Sequence, residues 1–99
     1  MQAKTITVGQ VVRSRAGRDA GKYFLAYQLL DEDFCLIVDG RSHKLAKPKR
    51  KRIKHVEPNE LVAESIREKW LTGKKVFDSE IASFLKELNH PRGVEYAEE

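Results

Sequence analysis

Seven of the eleven positions from Lys44 to Lys54 are cations: Lys44, Lys47, Lys49, Arg50, Lys51, Arg52 and Lys54. Like charges at that density repel one another on a folded surface. A phosphate backbone relieves the repulsion by giving up its condensed counterions. The chemistry on offer is neutralisation of a polyanion. Taken alone, the run also describes a solvated basic loop or a localisation-type patch. Five further cations in the same half of the chain, Arg13, Arg15, Arg18, Lys22 and Arg41, turn the balance towards a nucleic acid.

Other chemistries find fewer residues. Cys35 lies inside the apolar run Phe34-Cys35-Leu36-Ile37-Val38, where a thiolate is disfavoured. His43, His55 and His90 have no companion cysteines at zinc spacing. Asp31-Glu32-Asp33 reads as a solvated turn, because three consecutive carboxylates do not converge on one ion. Asp19, beside Arg18, suits loop capping or an ion pair better than general-base work. No phosphate-binding P-loop or nucleophile motif is present, so the expectation is a protein that is not an enzyme and needs no cofactor or metal.

The charge is unevenly divided. Residues 1–57 hold thirteen Lys and Arg against six Asp and Glu, whereas 58–99 hold six against nine. A basic half beside an acidic half suits a chain of which one part meets a polyanion. Ninety-nine residues make one small domain with an appendage, and 40% hydrophobic with 34% charged residues fits a globular protein with a heavily charged surface. No run approaches the ~20 apolar residues of a membrane span, and Met1–Thr5 lacks the apolar core of a signal peptide. A single cysteine precludes an internal disulfide and fits a reducing, cytoplasmic setting.

The elements that must hold the cations are short. Residues 6–14 read as a first strand, rising to a turn bracketed by Gly17 and Gly21 where positive φ or close approach is needed. Strand two covers about 22–30, with neither face cleanly polar, as in a curled small barrel. Residues 34–39 form a central strand, and Asp39-Gly40 gives a tight turn. A fourth strand is expected at His43–Ala46, the basic loop at 47–54, and a fifth strand at Ile53–Val56. Tyr23, beside the glycine loop, reads as core or as a stacking surface for a base. After Pro58 the pattern changes. Asn59 reads as a helix N-cap, with Val62, Ile66 and Trp70 at helical spacing and Gly73 as the stop. A second helix follows with Ile81, Phe84, Leu85 and Leu88 on one face, ended by Pro91, and 91–99 reads as a disordered tail.

The segment from Val8 to Lys22, continuing into Tyr23–Leu30, resembles a KOW motif, the alternating element with a central glycine found in ribosomal proteins and transcription elongation factors. Through Ile37-Val38-Asp39-Gly40 and Lys47–Arg52 the longer pattern is similar to small bacterial RNA-binding proteins related to the fourteen-e type of large-subunit ribosomal protein. The likeness runs over roughly residues 6–57. It implies a mainly β fold with α: a small five-stranded SH3-like (KOW) barrel at 1–57, followed by a C-terminal two-helix hairpin at 58–90 that packs on the barrel or on a partner. It also implies structured, ribosomal RNA as the ligand, read by shape and backbone. RNA contacts are expected from Arg13, Arg15, Arg18, Lys22, Arg41, Lys44, Lys47, Lys49, Arg50, Lys51, Arg52 and Lys54. A second reading is a protein-interaction module docking on ribosomal or transcription machinery through the acidic hairpin at 59–90. A DNA-binding helix-turn-helix fits poorly, because the second helix sets Lys86 against Glu80 and Glu87 and phosphate would repel that face.

Overall fold

Alternate residues of a strand face opposite ways, yet Val11-Val12, Phe24-Leu25-Ala26 and Ile37-Val38 are apolar at adjacent positions. The computed structural model, which describes residues 5–89, gives the reason: both faces of the sheet are covered. Five strands, β1 (Gln10–Ser14), β2 (Tyr23–Leu29), β3 (Phe34–Val38), β4 (Lys49–Arg52) and β5 (Val56–Val62), pair antiparallel in the order β4-β3-β2-β1-β5. One 3-10 turn, Ile53–His55, joins β4 to β5. The sheet curls into a small SH3-like barrel whose inside is filled by Ile6, Val12, Phe24, Ala26, Cys35, Ile37 and Val56. Val11, Leu25 and Val38 point the other way, under helices α1 (Glu64–Leu71) and α2 (Asp78–Asn89). Ile66, Ile81 and Leu85 close that second layer. Each fully buried aliphatic side chain there contributes roughly 1.5–3 kcal/mol relative to exposure.

Helix α2 is tied down at both ends. Asp78 Oδ1 accepts the Leu45 N–H at 2.8 Å. Asn89 grips the backbone of Tyr23 twice, accepting its N–H at 2.8 Å and donating to its carbonyl at 3.0 Å. Tyr23 is thereby half-buried against the helix layer, as a core residue is. Trp70 of α1 stands against Tyr27 of β2, ring centroids 5.0 Å apart.

Four local expectations are overturned. Ile53–Val56 is not the fifth strand: Ile53–His55 forms a 3-10 turn, and β5 runs over Val56–Val62. His43–Ala46 is not a strand, and the fourth strand is the basic run itself, Lys49–Arg52. The Asp39 carboxylate takes the N–H groups of Arg41 and His43, and Leu45 turns towards α2, so this segment bridges the helix layer instead of re-entering the sheet. Nor does a helix begin at Asn59. The β1–β5 ladder runs from Ser14↔Val56 to Gln10↔Val62 across a bulge, and Asn59 bonds the Leu61 N–H within it. Pro58 is tolerated because β5 is an edge strand. On α2, finally, Phe84 is exposed, while Ile81, Leu85 and half-buried Leu88 form the packed face. The expectations for residues 1–4, for the helix stop at His90-Pro91 and for the tail at 91–99 lie outside the described residues.

Candidate nucleic-acid interface

Strand β4 carries four cations in a row, and its alternation sets Arg50 and Arg52 on one side and Lys49 and Lys51 on the other. Lys49, Arg50 and Arg52 are exposed, whereas Lys51 is 9% exposed and turned inward. Charges on an edge strand also protect it from pairing with other chains. Lys51 lies opposite Cys35 in the ladder, and its ammonium donates to the Ala16 carbonyl at 3.0 Å. That bond pulls the β1–β2 loop towards β4. A second link joins the β1–β2 and β3–β4 loops, with His43 Nε2 3.5 Å from Asp19 Oδ2 and both groups largely buried. His43 also leans on Phe24, their ring centroids 5.8 Å apart.

These ties set the glycine loop beside the segment 41–50. There, Arg41, Lys44, Lys47, Lys49 and Arg50 line one open groove of about 710 Å³, with Pro48 and His43 in its wall. Arg41 also borders, with Lys22, a smaller depression of about 270 Å³ beside Asp39 and Asn89. Arg15 and Arg18 are exposed on the β1–β2 loop, and Lys54 is exposed on the 3-10 turn. Arg13 stands apart on β1, paired with Glu57 of β5 at 3.1 Å. An exposed pair of this kind contributes about 0–1 kcal/mol. Gly17 and Gly21 both adopt positive φ, +80° and +89°.

Of the twelve cations singled out in the sequence, the groove therefore gathers five directly. Arg52 joins Arg50 in a different contact: their guanidinium carbons lie 4.9 and 3.7 Å from the centre of the Phe34 ring. The sequence reading gave Phe34 no role beyond the core. An aromatic at the first position of a strand that pairs with a cationic run was the available signal. Burial pushes the Cys35 thiol up, against a smaller opposing pull from the Lys51 charge. Such a thiol is a packing group, not a nucleophile. No helix among the described residues is long and apolar enough to cross a membrane.

No family model matches the chain. Among curated proteins it is 30% identical over 91 residues to the large ribosomal subunit protein eL14 of Staphylothermus marinus, covering 88% of this chain and 93% of the relative. The eL14 of Metallosphaera sedula is 30% identical over 82 residues, 83% of this chain and 78% of that protein. The eL14 of Pyrobaculum calidifontis is 33% identical over 57 residues, 58% and 55% of the two chains. An alignment that covers 88% of this chain has to include both helices as well as the sheet. The similarity therefore extends beyond the barrel.

Proposed function

The chain belongs to the family of large ribosomal subunit protein eL14, and from that premise we propose that it binds structured RNA, ribosomal RNA above all, in translation or ribosome assembly. The observation that supports this most is the convergence of Arg41, Lys44, Lys47, Lys49 and Arg50 on one groove. Arg15, Arg18 and Lys22 extend the same field from the neighbouring loop. Arg13, Lys51, Arg52 and Lys54 add charge from the flanks and from beneath. The role is binding in the cytoplasm, without catalysis or a cofactor. Arg grips phosphate bidentately and Lys acts as a point charge, so the arginines position the RNA and the lysines add affinity.

Salt titration tests the reading. Five phosphate contacts give a slope of log K against log salt of about −3.5 to −4.5. Replacing Lys47 and Lys49 by Gln removes two contacts and flattens the slope by about 1.4 to 1.8. At 0.1 M salt the double variant then binds an rRNA fragment roughly 25- to 60-fold more weakly, and the two curves converge near 1 M. Lys74→Gln combined with Lys86→Gln, the same loss of two charges at exposed positions outside the groove, is the control. Wild-type affinity that ignores salt, or a double variant that binds like the control, refutes the proposal.

A second contact, to a protein, is favoured by Leu71, Phe77 and Phe84, which are 59%, 55% and 38% exposed on the helical layer. Apolar side chains of that size at a solvated surface suit a docking face on a ribosomal or other protein. Such a contact would respond little to salt.

A further inference from the structure

Phe34 opens β3 and is only half-buried. Arg52 is its cross-strand neighbour, and Arg50, two residues earlier, shares that side of β4 because alternate residues face the same way. Both guanidinium groups sit over the one ring, Arg50 at 3.7 Å and Arg52 at 4.9 Å. Two like charges held two residues apart repel each other, and cation–π attraction from the ring offsets that. The ring also removes rotamer freedom from side chains that are otherwise highly flexible, before any ligand arrives.

Arg50 belongs to this stack and to the wall of the groove at once. The lysines at 44, 47 and 49 already supply point charges for phosphate. A flat cation supported on an aromatic ring adds something they lack, which is a fixed planar surface. The planar component of RNA is the base, and a base within a continuous helix has both faces covered by its neighbours. Only an extruded or unpaired base has a face to give, and such bases stack on aromatic rings and on guanidinium planes. Resting on the RNA reading above, we infer that Arg50, held in place by Phe34 and flanked by Arg52, stacks on one unpaired base while the groove holds the adjoining phosphates. The preferred partner is thus an RNA helix interrupted by a bulge or loop, not an unbroken duplex.

Two RNA hairpins test this, each closed by a non-nucleotide linker so that no loop base is left unpaired, and identical except that one carries a single unpaired 2-aminopurine in its stem. The full chain is expected to bind the bulged hairpin at least about fivefold more tightly, the low end of what stacking one base contributes, and to quench the 2-aminopurine. Phe34→Leu keeps an apolar side chain and removes the ring. It brings the affinity ratio below about 2 and abolishes the quench, while its salt slope stays that of wild type because the phenyl ring is uncharged. Arg50→Lys keeps the charge at an exposed position and removes the plane. It loses the same preference, and so decides the matter if Phe34→Leu does not fold. Equal binding of both hairpins by wild type, or a preference that survives in the folded variants, overturns the inference. Wild type that binds neither hairpin overturns the RNA reading itself.

Discussion

Two glycines with nearly the same backbone angle allow the cost of a left-handed residue to be separated from the cost of close packing. Gly21 has φ +89° and Gly40 φ +77°. A methyl group added at Gly21 meets nothing within 4 Å. At Gly40 it would collide with the Asp78 carbonyl and come within 2.9 Å of the Ala82 backbone nitrogen, both in the first turns of α2. Gly21→Ala therefore carries backbone strain alone, about 1–2 kcal/mol. Gly40→Ala carries that strain and must also lift α2 off the loop, an overpacking cost of about 1–3 kcal/mol more. Trp70 is the one tryptophan and packs on Tyr27, so its fluorescence reports the seating of the helix layer on the sheet. In urea denaturation followed this way, the order of stability should be wild type, Gly21→Ala, Gly40→Ala, with the last two about 1–3 kcal/mol apart. If Gly40→Ala is no less stable than Gly21→Ala, α2 does not rest on this turn. The seating of Arg41, His43 and Leu45 against the helix layer would then fail with it.

Two further outcomes follow from titratable groups. Cys35 is fully buried and its thiol is pushed up, so iodoacetamide at pH 8 should label the native protein only as fast as it opens, and labelling should accelerate in urea. Rapid labelling without denaturant would contradict the buried position. The Glu80 carboxyl is held below its ordinary range, first by the Lys69 ammonium at 2.8 Å and then by the Phe77 N–H. A lowered folded value means that its contribution is complete above the ordinary glutamate pKa of about 4.3 and disappears as pH falls through the lower one. The melting-temperature difference between wild type and Glu80→Gln should be constant near neutrality and shrink only below about pH 4.3. A difference that shrinks between pH 7 and 5 would point to another group.

Much of the barrel was legible in the sequence because its signals are local. The apolar runs at 10–14, 23–29 and 34–38, the positive φ of Gly17 and Gly21, and Ile81, Leu85 and Leu88 on the packed face of α2 all announce themselves within a few residues. What the sequence hid depends on distant partners. Four consecutive cations have no visible alternation, so Lys49–Arg52 looks like a loop until β3 pairs with it and one of the four turns inward. Pro58-Asn59 looks like a helix start because the bond partners of β5 lie on β1, far back in the chain. The two-sided apolar strands also misled in one respect: curling into a barrel was not the whole reason, since a helix layer covers the second face. Within the candidate interface, the cations were legible as a set. Their sorting into groove, stack, tether and outlying ion pair was not, because Phe34, Ala16, Asp19 and Glu57 decide it and none of them is basic.

The last strand lies against the first. Strands β2 to β4 each pair with the neighbour before them in sequence, but β5 has to return to β1 across everything between. Contacts of that span are slow to form, since the loop must close before they reward it. A nascent polypeptide leaving the exit tunnel therefore presents the thirteen cations of residues 1–57 before the residues that finish and seal their scaffold have been synthesised. During that interval any polyanion nearby meets an unsorted string of charges, and selectivity begins only once Val56–Val62 has arrived.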